Sequence, residues 1–237
     1  MRAALPGRSA MTWQFDWAFP TVKQRFVNDR EFVWNRGKGL GGSSGNNYYM
    51  WSKPAAGDIN AIAGSSLLSV SLQPEAGKTY CTLMAVLCRP FSRGTVHATS
   101  SDAWAYPTID PHLLENDFDV ELLVQGFKYI RSFAQTEPFQ SGVVREMDPG
   151  VRVSDDDQQI RDYIKNTLMN MAHAVGSCSM LPRENQGVVD PELKVYGTTN
   201  VRVVDLSILP LHTGAHPQAT VYMIAEKATD IIRASRE

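Results

Sequence analysis

The chain has 237 residues, 43% hydrophobic and 20% charged, with a formal net charge of −2. That length and apolar content suffice for a real core in one large domain or two small ones, and the near-neutral balance gives no electrostatic basis for binding nucleic acid or an anionic membrane. No apolar run approaches the roughly 18 residues of a membrane-spanning helix; Cys81, Cys88 and Cys178 form neither a disulfide framework nor a CxxC zinc spacing; and Met1 to Phe19 lacks the apolar core of a signal peptide, so a soluble protein of unspecified location is expected.

Met1 to Arg36 is aromatic and basic without clean periodicity and reads as irregular extended chain. A glycine-rich loop follows, from Arg36 and Gly37 to Asn47 and Tyr48, running towards a possible helix near Trp51. Residues 63–78 are small and polar and read as a linker or junction. Tyr80 to Leu87 is a β-like run ending at Pro90. With a turn at Ser92-Arg93-Gly94 and a second run at Thr95 to Thr99, it predicts a hairpin.

Asp117 to Ala134 predicts a helix, because Val120, Leu123, Phe127, Ile130 and Ala134 recur at spacings of three and four and Pro138 lies beyond the end. Ser154 to about Met171 predicts another, with Ser154 and Asp157 as a capping-box pair and aspartates suited to the positive N-terminal end. Val201 to Leu209 is rich in Val and Ile and reads as a strand. Pro217 to Arg233 predicts a final helix with Pro in its first turn and Ala219, Met223, Ala228 and Ile231 towards the core.

Three stretches carry chemistry. In the glycine loop, Gly37, Gly39 and Gly42 spell G-x-G-x-x-G, but the residues before them are too polar for the buried strand a dinucleotide fingerprint needs. Gly41, Ser43 and Gly45 spell the G-x-S-x-G of a nucleophile elbow, with Asp205 and His216 following in the hydrolase order; here too the feeding strand is missing, as is an HGGG-type oxyanion loop. So many glycines suit a backbone that approaches a phosphate or a ring closely. The second stretch is Met171 to Met180, with His173 followed by small residues; alone, this His reads as a helix C-terminal cap. The third is Val201 to Pro210, where Asp205 interrupts an apolar run and, if buried, needs a partner, leading to His216-Pro217-Gln218-Ala219-Thr220 at a helix start, where backbone amides face acceptors.

Together these stretches resemble the glucose–methanol–choline (GMC) flavoprotein oxidoreductases. Gly37-Lys38-Gly39-Leu40-Gly41-Gly42-Ser43-Ser44 through Asn47 to Pro54 is similar to that family's first signature. His173-Ala174-Val175-Gly176-Ser177-Cys178-Ser179-Met180 is similar to its H-x-V-G-T-C-x-M element. Val203 to Ile208 and His216 to Tyr222 are similar to its closing element, and the two histidines stand 43 positions apart, as in the family. Ser92-Arg93-Gly94 with Ile109-Asp110-Pro111 resembles the start of the family's C-terminal domain. Asn46 and Ser177 depart from the usual aliphatic residue and Thr.

The resemblance implies an FAD-dependent oxidation of an alcohol to a carbonyl compound, with a small-molecule alcohol as substrate. It implies His173 as the catalytic base and His216 as a second catalytic group on the same oxygen. It implies FAD contacts from Gly41, Gly42, Ser43, Asn47, Tyr48, Asp205, Leu206, Gln218 and Thr220, and no metal. Family members are more than twice as long. The strand and fingerprint that grip the ADP half of FAD would lie upstream of Met1, and the second family signature is missing, so the chain reads as truncated or internally deleted.

The expected fold class is α+β: a remnant of the two-domain GMC fold, with an antiparallel sheet, helices on one face and an incomplete FAD-binding portion. The expected divisions are a partial FAD-binding segment at 1–62, a junction at 63–78, a substrate-type domain at 79–195 and a closing strand and helix at 196–237. On this reading the isolated chain binds FAD weakly or not at all and can self-associate through exposed sheet edges. The competing readings are a non-catalytic interaction module and a serine hydrolase using Ser43, Asp205 and His216.

Overall fold

The computed structural model describes residues 15–39, 42–46, 59–64 and 80–235. The N-terminal stretch is a short antiparallel ribbon. Strands β1 (Phe19–Pro20) and β2 (Val33–Trp34) pair with Phe19 opposite Trp34, and bridges Asp16–Gly37 and Gln24–Arg30 extend the pairing to both sides. Side chains close it. Thr21 Oγ1 accepts from the Phe32 amide, and the turn passes through Asn28 and Asp29 in the left-handed region, which those residue types tolerate. The extended reading of this segment thus becomes a ribbon held by polar side chains, too short to show a period in sequence.

Strand β3 (Ile59–Gly64) pairs antiparallel with β4 (Thr82–Leu87), and β5 (Thr95–His97) with β6 (Thr108–Asp110). The predicted hairpin between residues 80–87 and 95–99 does not form. Its turn is captured instead by Asp119, a buried carboxylate that accepts from the amides of Phe91 (2.7 Å) and Ser92 (2.8 Å) and from the Ser92 hydroxyl (2.5 Å). This leads the chain away from β4. Gly94 then passes so close to β6 that a Cβ would stand 2.4 Å from the Asp110 carbonyl oxygen.

Helix α1 (Asp117–Ala134) has the predicted bounds, capped by Asn116, whose side chain accepts from the Phe118 amide. It packs against β4 on one side and, after a short α2 (Phe139–Gly142), against α3 (Asp157–Thr167). The α3 N-terminus lies beyond the predicted Ser154. Asp156 is the cap, accepting from the Gln159 amide, while the Gln159 side chain reaches back to the Ser154 amide. The helix stops at Thr167, short of Met171, because Arg30 takes the carbonyls of Lys165 and Leu168 from its last turn. Val27, Phe32, Leu114, Val120, Val124, Ile160 and Ile164 form the core shared by the ribbon, α1 and α3.

From Leu168 to Pro217 the backbone is irregular. The predicted strand at Val201–Leu209 keeps one bridge, Lys194–Arg202, and then turns into a single 3-10 turn at Leu206–Ile208. Asp205 ends the strand by accepting from the Ser207 amide (2.8 Å) and hydroxyl (2.5 Å). It is exposed and locally satisfied rather than buried. Helix α4 (Gln218–Ala234) follows Pro217. Ala228 is buried and Ile231 packs with Val189, Leu193 and Ile208 in a second core, but Met223 is 65% exposed, contrary to its expected inward position. The whole is mixed helix and sheet with small antiparallel sheets, and among the described residues no helix is long and apolar enough to cross a membrane.

Candidate active site

Two loops bring His173 and His216 together. The His173 loop begins six residues after α3 ends, so this histidine caps no helix. Further along it, the amides of Cys178 and Met180 donate to the carbonyls of Ser207 and Ile208, at 3.0 and 2.8 Å. Those bonds tie the His173 loop to the 3-10 turn just ahead of the His216 segment. Gly176 takes φ +91°, which suits a residue without Cβ, and the Ser179 hydroxyl donates back to its carbonyl.

The result is a direct contact. His173 Nε2 lies 2.7 Å from His216 Nδ1, and the rings meet edge to face at 4.9 Å between centroids. One nitrogen must donate and the other accept, so at most one proton lies between them. The Ala172 carbonyl also accepts a hydrogen bond from the His173 ring. Which of the two donates depends on the tautomer, and in either case the second ring nitrogen of His216, Nε2, takes no part in the contact. That atom is buried and has no hydrogen-bond partner.

Burial, with His216 and His212 close by, pushes the His173 pKa down to about 4. Burial and His212 lower His216 as well. Both rings are therefore neutral at pH 7. His212 is a third imidazole, 6.1 Å from His173 between centroids, with Nδ1 donating to the Thr213 carbonyl at 2.6 Å. Sequence reasoning passed it over; its signal was the i, i+4 pair His212 and His216 in one loop. All three rings line a cavity of about 1530 Å³ whose other walls include Trp34, Leu83 and Phe127.

The predicted cofactor residues fall into three groups. Gly41, Asn47 and Tyr48 lie outside the described residues. Gly42 and Ser43 open a 3-10 turn, where the Ser43 hydroxyl accepts from the Gly37 amide at 3.1 Å. Asp205 and Leu206 form the capped turn described above, and Gln218 and Thr220 lie in the first turn of α4, Thr220 being buried. Helix geometry leaves amides in that turn which no helical carbonyl reaches. Arg36, next to Gly37 in the chain, reaches the His173 loop: its guanidinium donates to the carbonyls of Asn35 and Ala172, and its charge is felt by both Asp205 and His173.

The hydrolase constellation is not assembled. His216 Nδ1, which would bind the acid of a triad, faces His173, while Asp205 is spent on Ser207 and Ser43 on Gly37. Among the described residues no group of three His, Cys, Asp or Glu is arranged to hold a metal.

The site is thus a pair of neutral imidazoles on the wall of a large cavity, tied through Arg36 to the segment that leads into the glycine loop. Residues 90–225 match the profile of the GMC oxidoreductases, and the chain belongs to that family. It is 36% identical over 184 residues to a dehydrogenase of Armillaria gallica, covering 76% of this chain and 28% of the relative. A fungal aryl-alcohol oxidase structure superposes with TM-score 0.58 at 39% identity, over 67% of this chain and 26% of that one. An FAD-dependent oxidoreductase from Chaetomium thermophilum superposes with TM-score 0.59 at 28% identity, over 64% and 26%. The chain thus spans about a quarter of the length of these relatives.

Proposed function

We propose that this chain carries the proton-handling part of a GMC alcohol-oxidising site, with His173 as the base and His216 as its partner on the substrate oxygen. The contact between His173 Nε2 and His216 Nδ1 on the cavity wall carries this reading. A substrate hydroxyl that displaces this contact can give its proton to one ring and take a hydrogen bond from the other.

The residues present fit the reactive end of a flavin. The buried, unpartnered His216 Nε2 has a hydrogen bond left to make, and Gly39 and Gly42 leave open space where a Cβ would stand. Gly42, Ser43, Asp205, Leu206 and the first turn of α4 at Gln218 and Thr220 would hold the group, with Gly41, Asn47 and Tyr48 completing the set. FAD, when bound, supplies the acceptor for the carbon-bound hydrogen and its electron pair. What the chain itself does is move the proton. A hydroxyl is a weak acid, and it is deprotonated by a lone pair that carries no proton at working pH; His173 is neutral there. His216 holds the developing alkoxide by hydrogen bonding. Apolar side chains on the cavity walls, among them Trp34, Leu83 and Phe127, favour a substrate with an apolar body, such as an aryl alcohol.

We expect the isolated chain to bind FAD weakly. The test is oxidation of a panel of aryl and alkyl alcohols by chain supplied with excess FAD, comparing wild type with His173→Ala. The variant should lose about 10²–10⁴-fold in rate, the usual worth of a positioned base. Turnover unaffected by the substitution would overturn the catalytic assignment, and stoichiometric flavin on the purified chain would overturn weak binding.

A further inference from the structure

The segment that ends at His173 is not secured by a helix or a sheet. It is fastened to the N-terminal ribbon by bonds in which at least one partner is a side chain, and the fastenings step along both segments in the same direction. Asn28 Nδ2 donates to Asn166 Oδ1 at 2.8 Å. Arg30 spans the carbonyls of Lys165 and Leu168 at 3.0 and 2.8 Å. Asn170 Nδ2 donates to the Val33 carbonyl at 3.0 Å, and Asn170 Oδ1 accepts from the Ala172 amide at 3.0 Å. The last fastening before the imidazole is Arg36 Nη1 to the Ala172 carbonyl, at 3.1 Å.

Ala172 needs holding. It is a non-glycine residue at φ +55°, a conformation that costs about 1 kcal/mol or more and persists only where surroundings enforce it. Its carbonyl is also the acceptor for the His173 ring, so one oxygen sits between guanidinium and imidazole. Arg36 is itself anchored: Asp16 accepts from its amide at 2.8 Å, and the charges of Asp16 and Asp205 counter part of the desolvation of its guanidinium. A buried guanidinium spent on two backbone carbonyls suits a part whose work is placement.

We propose that Arg36 is the positioning residue of the imidazole pair: by gripping the Ala172 carbonyl it fixes the backbone from which His173 projects and the ring face turned to His216. Arg36 directly precedes Gly37, whose amide binds Ser43, so the residue that grips the Ala172 carbonyl adjoins the start of the glycine loop. The inference rests on the proposed function for its purpose, but not for its test.

The test is side-chain NMR of the full chain without added cofactor, following all five histidines through a pH titration in wild type and Arg36→Met. Around His173 the charged or titratable groups are Arg36, His212 and His216. In wild type we expect a shared, downfield N–H between His173 and His216 and a His173 midpoint near 4. In Arg36→Met the shared proton should be lost and the His173 midpoint should rise towards 6.5, while the ring chemical shifts of His97 and His112 at neutral pH stay unchanged. A merely structural loss would move every histidine together. Arg36→Lys, which keeps the charge and a single donor, should recover part of the shared signal. Retention of the shared proton and the low midpoint in Arg36→Met would overturn the proposal. If that variant does not fold, Arg36→Gln is read by the same two outcomes. A positive result with no alcohol oxidation would remove the proposed function and leave the positioning role standing.

Discussion

The neutral state of His173 has a thermodynamic signature that needs no substrate. Its pKa falls from 6.5 in the unfolded chain to about 4 in the folded one. Above pH 6.5 neither state binds the proton, and the ring contributes no pH dependence. As pH falls from 6.5 to 4 the unfolded chain takes up a proton the folded chain refuses, so stability declines across that window and levels off below it. At about 1.4 kcal/mol per pH unit the full shift corresponds to roughly 3 kcal/mol, and solvent screening of a half-buried ring brings the expected loss to about 2–3 kcal/mol. His216 shifts in the same direction and adds to it. The assay is urea unfolding of wild type and His173→Gln at intervals from pH 7.5 to 4.5, read as midpoint at constant m-value. The variant carries a fixed penalty from its lost contact with His216, so the quantity of interest is the difference in slope: wild type should lose about 2 kcal/mol more than the variant between pH 6.5 and 4.5. Parallel curves would mean that His173 is solvated and protonates normally in the folded chain, and the buried-pair geometry would be refuted.

Two further outcomes follow from the backbone. Asp119→Asn replaces one acceptor oxygen by an amide nitrogen against buried donors at Phe91 and Ser92, so it should cost about 2–4 kcal/mol in a urea melt, and a loss under about 0.5 kcal/mol would deny the carboxylate its role in turning the chain after β4. Gly37→Ala would place a Cβ 2.1 Å from the Gly42 carbonyl oxygen and 2.6 Å from the Ser43 nitrogen, both backbone atoms that cannot swing aside; the loop should open and trypsin should cut faster after Arg36 and Lys38, whereas Gly142→Ala, which meets nothing within 4 Å, should leave the rate unchanged.

What could be read from sequence was whatever local residues determine. The bounds of α1 were legible because its cap at Asn116, its apolar spacing and its stop lie within one stretch, and α4 was legible for the same reason around Pro217. The hairpin after β4 was misread because its turn is decided by Asp119, a residue about 28 positions away that looks in sequence like an ordinary first-turn acid. The strand at Val201–Leu209 was misread because one carboxylate, Asp205, turned inward on Ser207 instead of leaving the backbone to pair. α3 was overextended because its C-terminal carbonyls find Arg30, far back in the ribbon. In each case a polar side chain won a backbone group that the apolar pattern had assigned to regular structure, from far along the chain at Asp119 and Arg30 and from within the segment at Asp205.

The site shows the same division. The motifs around His173 and His216 pick out the two rings, but nothing in their spacing says that Nε2 of one meets Nδ1 of the other, because that depends on how loops of irregular backbone are pinned. Cys178 and Met180 pin one side to Ser207 and Ile208; Arg36 and Asn170 pin the other. Hydrogen bonds of this kind contribute about 1 kcal/mol each and break independently of one another, unlike rungs of a ladder. An imidazole pair held this way can shift by an ångström when one pin is lost while both hydrophobic cores stay intact. Substitutions at Arg36 should therefore disturb the His173–His216 contact well before they unfold the chain, whereas Ile160→Ala in the core, at about 2–5 kcal/mol, should lower global stability and leave the two rings in contact in the molecules that remain folded.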